Sequence, residues 1–141
     1  MHGMEYFIST DKSKIDVDAV HDYLCYKSYW AKGRSIERVK TSIENSMCFG
    51  LYDADENMLG FARVITDKVV FAYLMDFLIF EQYQGKGMGK KLVQYIIEHP
   101  DLQVRLWFLA TASAHEFYKK FGFSALDDPD RYLFKRDENY L

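Results

Sequence analysis

The amino-acid sequence predicts a mixed α+β domain whose sheet begins antiparallel and ends in a parallel crossover. Three observations carry this expectation. Two apolar segments, Met47 to Tyr52 and Leu59 to Ile65, flank the turn-rich Asp53-Ala54-Asp55-Glu56-Asn57, as hairpin strands do. A longer, nearly unbroken apolar run, Val69 to Phe80, reads as a strand covered on both faces. After it, three alternating glycines lead into a segment of helical apolar spacing and then another apolar run. That is the order of a strand–helix–strand unit, whose crossover is right-handed. With 141 residues and no visible linker or repeat, the chain is expected to be one domain, residues 1–141.

The elements follow in order. Glu5 to Ser9 is a plausible first strand. Asp16 is placed to cap a helix in which Val17, Val20 and Leu24 share a face, and Ser35 to cap a second through Ile36, Val39 and Ile43. Thr66-Asp67-Lys68 is a turn into the long strand. Met88, Leu92, Val93, Ile96 and Ile97 form one face of the next helix, which must stop near His99 because Pro100 disfavours helix before it. Leu102 to Ala110 reads as a second buried-type strand. Ser113 with Glu116 has capping-box spacing for a last helix striped by Ala114, Phe117, Tyr118 and Phe121, and Gly122 is its left-handed stop. One more short strand is expected at Tyr132 to Phe134.

Composition excludes several functions. The chain is 49% hydrophobic and 17% aromatic, too apolar for a disordered segment. Its 18 basic and 21 acidic residues leave a formal charge of −3, no electrostatic basis for nucleic acid or a polybasic membrane contact. No basic start precedes an apolar stretch, and no apolar run approaches the roughly 20 residues of a membrane span. A cytoplasmic location is expected. Cys25 and Cys48 lack Cys or His at ligand spacing, so no metal is expected.

The chemistry concentrates in Gln84-Gly85-Lys86-Gly87-Met88-Gly89. Glycines at alternate positions let the main chain approach a ligand closely. A helix start adds unpaired N–H groups and partial positive charge, and Lys86, Lys90 and Lys91 add formal charge. Together these make a receptor for phosphate or pyrophosphate. The Walker pattern fails because Lys91 follows Lys90, and G-x-G-x-x-G fails because Lys90 follows Gly89. What remains is Gln-x-x-Gly-x-Gly after a long strand. This resembles the GNAT superfamily of acyl-CoA-dependent N-acyltransferases, whose signature is Arg/Gln-x-x-Gly-x-Gly/Ala at this position. Phe117-Tyr118-Lys119-Lys120-Phe121-Gly122-Phe123 matches the family's Phe-Tyr-x-Lys-x-Gly-Phe segment. The resemblance covers residues 47 to 123 well and the N-terminal helices loosely.

The resemblance implies a mostly antiparallel sheet with a splayed parallel strand pair, about four helices, and acetyl-CoA as acyl donor. It implies that the backbone from Gln84 to Gly89, with Lys90, holds the CoA pyrophosphate, and that main-chain groups of Phe77, Leu78 and Ile79 pair with the pantetheine arm. An oxyanion donor of this kind is worth on the order of 3 kcal/mol. It implies further that Tyr118 protonates the departing thiolate. Thr111 stands where the family often has Asn, which alters the cofactor contacts there. Tyr29, Trp30 and Arg34, in the connection between the first two helices, fall where the family often lines its acceptor site. His115, one turn before Tyr118, is either a surface residue or a proton shuttle.

Asp76 stands out as a carboxylate inside an apolar strand, costly unless partnered or at a cleft. It is either structural, paired with Arg63, Lys68 or a backbone amide, or functional, as general base or as anchor for the acceptor's ammonium. The expected function is N-acetyl transfer to a primary amine of a small molecule or peptide by direct attack in a ternary complex. A non-catalytic acyl-CoA-binding module is the alternative, and a nucleotide-binding protein a third. The aromatic content would allow a homodimer face.

Overall fold

The structure, a computed structural model, describes residues 5–140. These separate into two compact units, one running to Ala110 and one beginning at Thr111. The first unit contains β1 (Tyr6–Ser9), α1 (Val17–Asp22), α2 (Ile36–Glu44), β2 (Met47–Asp53), β3 (Met58–Thr66), β4 (Phe71–Ile79), α3 (Met88–Glu98) and β5 (Leu106–Phe108). Its sheet has the order β1-β2-β3-β4-β5, antiparallel through β4 and parallel between β4 and β5. This is the mixed, mostly antiparallel α+β sheet expected from the sequence.

Local chemistry starts and stops the helices as the sequence suggests. The Asp16 carboxylate accepts from Ala19 N–H at 3.1 Å, and the Ser35 hydroxyl from Arg38 N–H at 3.3 Å. A wider turn, Tyr23–Lys27, prolongs α1 until the Ser28 hydroxyl donates to the Leu24 carbonyl at 2.6 Å. At the β3–β4 turn Asp67 accepts from the N–H groups of Val69, Val70 and Phe71.

Successive residues of β2 point to opposite sides of the sheet, which sorts the core into two layers. Cys48, Phe61 and Leu78 pack with Val20, Leu24, Val39 and Ile43 beneath α1 and α2. Phe49, on the other face, meets Tyr95 of α3 edge-on at 6.1 Å. The buried stripe of α3 is Met88, Leu92, Val93 and Ile96. Each such side chain contributes about 1.5–3 kcal/mol by leaving water.

Four expectations are corrected. β4 is not covered equally on both faces: Ala72, Leu74, Asp76 and Leu78 are buried while Phe71, Tyr73, Met75 and Phe77 are half-buried. The second face stays apolar because ring contacts such as Phe71–Phe108, at 5.2 Å, give it partial cover. The strand expected over 102–110 shrinks to Leu106–Phe108, since Pro100–Leu102 forms a 3-10 turn closed by Leu102 N–H on the His99 carbonyl at 2.9 Å. β5 then ends opposite Tyr73, whereas β4 runs on to Ile79.

The other two corrections lie in the second unit, which holds α4 (His115–Lys119). The Thr111 hydroxyl, not Ser113, accepts from Ala114 N–H at 3.1 Å, so the helix starts one residue later than the capping box implied. Gly122 ends it with φ +92° as expected. Tyr132 to Phe134 is not a strand. Pro129–Arg131 makes a 3-10 turn before it, and Leu133 is 96% exposed.

Candidate functional site

The candidate site starts at an irregularity of β4. Phe61 pairs with Leu78 but Arg63 pairs with Met75, so β4 carries one residue more than β3 between those pairs. This is a β-bulge, the usual means of re-aiming a side chain at a site. Asp76 sits in it with φ +51°, a left-handed conformation that Asp tolerates better than most residues.

The bulge delivers the Asp76 carboxylate to a cluster. Its Oδ2 accepts from Arg63 Nε at 2.6 Å and Arg34 Nη1 at 2.7 Å, and its Oδ1 from Trp30 Nε1 at 3.0 Å. Arg63 Nη1 donates onward to the Ser46 hydroxyl at 3.1 Å, which donates to the Ser42 carbonyl at 2.6 Å. The Asp76 side chain is 1% exposed and that of Arg34 21%. Burial pushes the Asp76 carboxyl up, but the Arg63 and Arg34 charges and their hydrogen bonds outweigh it, and the net direction is down. Asp76 is therefore an ionised carboxylate outnumbered by two guanidiniums.

The structure thus brings together Asp76, Trp30 and Arg34, which sequence reading had placed separately. Tyr29 joins them through its ring, edge-on to Trp30 at 5.1 Å. Of the two cationic partners weighed for Asp76, Arg63 is the one used; Lys68 faces Asp101 at 3.7 Å instead. Ser46 was missed, and no local signal marks it. The place of Arg63 was hinted at by a lone cation in the apolar segment Leu59 to Ile65, next to a strand with a lone acid.

Beyond Ile79 the chain turns through Glu81–Tyr83 into the glycine loop. Gln84 Nε2 ties that loop back to the strand by donating to the Ile79 carbonyl at 2.8 Å, and reaches the Tyr23 hydroxyl at 3.4 Å. Gly85 and Gly87 have φ of +77° and +81°, and Gly87 caps α3. A Cβ at either would meet nothing within 4 Å, so the space over the loop is open. Gln84 N–H donates to the Glu81 carbonyl and Lys91 N–H to the Gly87 carbonyl. Among the described residues, the N–H groups of 85 through 90 find no acceptor. Met88 is buried and anchors the helix start, while Lys86 and Lys90 are exposed. A row of main-chain donors with open space above and lysines beside it fits a diphosphate.

In the second unit Tyr118 is 8% exposed, its ring edge-on to Phe117 at 5.1 Å and Phe123 at 5.9 Å. His115 is exposed, and the Thr111 hydroxyl caps the turn before α4. Among the described residues no group of His, Cys, Asp or Glu is arranged to hold a metal, and no helix is long and apolar enough to cross a membrane. Cys48 is buried, and burial raises its thiol to about 11, which keeps it protonated at neutral pH.

Residues 44–125 match the model of the acetyltransferase (GNAT) domain. The candidate acetyltransferase FG08082 of Gibberella zeae is 31% identical over 140 residues, covering 84% of this chain and 78% of that protein. The uncharacterized N-acetyltransferase ycf52 of Pyropia yezoensis is 32% identical over 119 residues; the match spans 77% of this chain and 64% of its length. Among solved structures, a candidate GNAT-family acetyltransferase from Xanthomonas campestris pv. campestris superposes with a TM-score of 0.92 at 34% identity over 96% of both chains. The SA2161 protein of Staphylococcus aureus shares the fold, with a TM-score of 0.73 at 20% identity, covering 94% of this chain and 98% of that one.

Proposed function

The chain belongs to the GNAT family of acetyltransferases, and on that premise we propose that it moves the acetyl group of acetyl-CoA directly onto a primary amine. The observation that carries this reading is the run of main-chain N–H groups from Gly85 to Lys90 without an acceptor among the described residues, opening on clear space at the start of α3. These amides, with Lys86 and Lys90, hold the diphosphate of the donor, and Gln84 holds the loop to the end of β4. The main chain of Phe77, Leu78 and Ile79, on the part of β4 that runs past β5, lies along the pantetheine arm and steadies charge on the carbonyl oxygen. Thr111 adds a hydroxyl contact to the donor. Residues 1–141 act as one acetyltransferase domain.

Acetyl-CoA supplies an activated thioester carbon. The amine nitrogen forms the new N–C bond as the C–S bond breaks; the nitrogen gives its proton to water, and Tyr118 gives its phenolic proton to the leaving thiolate and regains one from solvent. A phenol near pKa 10 suits that exchange. Asp76 serves as a positioning residue. Its carboxylate already accepts from two guanidiniums and an indole, and those cations hold its carboxyl low, so it is a poor proton acceptor. It fixes Trp30 and Arg34 beside the bulge, where with Tyr29 they face the acceptor. His115, exposed before Tyr118, relays protons to solvent.

The test is thiol release from acetyl-CoA with a panel of primary amines, alongside calorimetric binding of acetyl-CoA. Turnover with at least one amine is expected. Tight cofactor binding with no turnover by any amine would favour a non-catalytic acyl-CoA sensor, and absence of both would overturn the reading.

A further inference from the structure

We infer that the acceptor amine carries an oxyanion, a carboxylate or a phosphate, which docks on Arg34 beside the Tyr29–Trp30 rings. The inference rests on the acetyltransferase reading and names the substrate class of the same site. Its basis is the charge of the Trp30–Arg34–Arg63–Asp76 cluster. Two guanidiniums share one carboxylate, so the cluster holds a positive charge in excess. Arg34 uses only Nη1 on Asp76; its Nε and Nη2 have no acceptor among the described residues, and its side chain is 21% exposed. A guanidinium with one edge committed and another open binds a planar oxyanion through parallel N–H groups, which an ammonium cannot do.

The same excess charge disfavours other acceptors. A polyamine, or an amine with a second ammonium, would bring a cation to a site where Asp76 no longer offers attraction. It also favours the neutral form of the reacting amine, because a nearby like charge lowers an ammonium's pKa. That relieves the site of the need for a carboxylate base. Tyr29 and Trp30 are 60% and 40% exposed and lie edge to face, which gives apolar cover to the carbon frame between amine and anion. An amino acid is the simplest molecule with this layout, and an aminoalkyl phosphate the next.

The experiment compares matched pairs at saturating acetyl-CoA: phenylalanine against phenethylamine, and O-phosphoethanolamine against ethanolamine, with spermidine as the cationic arm. Rates are expressed per concentration of free-base amine. In at least one pair the anionic member should have the higher kcat/KM by tenfold or more, and which pair shows it separates carboxylate from phosphate. Arg34→Gln should collapse that ratio toward one, and Arg34→Lys should retain part of it, in protein that still melts cooperatively and binds acetyl-CoA. Should Arg34→Gln fail to fold, salt gives a second readout: raising ionic strength from 0.05 to 0.5 M should raise KM for the anionic amine and not for its neutral partner. Equal or better use of the neutral amines or of spermidine would overturn the inference, as would a preference that survives Arg34→Gln in folded protein. If acetyl-CoA binds but no amine is acetylated, the failure falls on the acetyltransferase reading. Calorimetric binding of the same pairs to the protein with CoA then decides this one: a preference for the anionic members upholds it, and none overturns it.

Discussion

Replacing Asp76 with Asn separates a positioning role from a proton-accepting one. The substitution preserves shape and removes charge, leaving the Arg34 and Arg63 guanidiniums facing a neutral amide. Removing one partner of a buried ion pair costs about 3–5 kcal/mol. Arg34 is 21% exposed and therefore partly screened, which brings the expectation to about 2–3 kcal/mol. For a domain of this size that is a fall in Tm of roughly 6–9 °C at pH 7. The pH dependence has a defined sign. The folded carboxyl lies below its unfolded value, so its stabilisation is complete above an unfolded pKa of about 3.9 and is lost as pH falls through the lower folded value. Wild type and variant should therefore differ at pH 7 and converge in acid, once Asp76 is itself neutral. Thermal melts across pH, with kcat and KM at neutral pH, make the assay. A positioning residue predicts the stability loss together with a raised acceptor KM and an unchanged acidic limb of the pH–rate profile. An unchanged Tm with kcat down 10²–10⁴-fold and that limb abolished would show that Asp76 takes the proton, and the reasoning from its partners would be refuted.

Three further outcomes are expected. Gly87→Ala places a Cβ where φ is +81° and nothing lies within 4 Å, so it should cost only about 1–2 kcal/mol in stability yet weaken acetyl-CoA binding tenfold or more by calorimetry; an unchanged Kd would mean the loop does not hold the diphosphate. Tyr118→Phe should lower kcat about a hundredfold, with partial recovery when the acyl donor has a more acidic thiol; undiminished kcat would place the proton source elsewhere. Leu92→Ala, at a position 0% exposed, should lower stability by about 2–5 kcal/mol in denaturant melts without changing which amine is used, and a loss under 1 kcal/mol would contradict a packed α3 face.

What was legible in the sequence was local. The glycine loop, the caps at Asp16 and Ser35 and the stop at Gly122 each depend on residues within a turn of one another. The Met47–Ile65 hairpin was legible because its turn residues lie between its strands. Features that depend on distant partners were not. The bulge at Asp76 is a mismatch between the registers of β3 and β4, which neither strand's sequence contains alone. The extents of β5 and of the expected strand at Tyr132 depend on ladder partners rather than on apolar runs.

The proposed acceptor site shows the same limit in electrostatic form. A lone carboxylate in an apolar strand suggests an anionic pocket suited to a cationic amine. Its partners come from 13, 42 and 46 residues away, and two of the three are cations. The sign of the site is thus a sum over the α1–α2 connection, β3 and β4, and the acid that drew attention in the sequence is the smaller term in it. An electropositive acceptor site of the kind proposed suits an amine that arrives neutral at nitrogen and anionic elsewhere. On the proposed reading, the same cations that hold Asp76 ionised would hold that nitrogen unprotonated, and one pair of arginines would account both for a reaction without a carboxylate base and for the charge of its substrate.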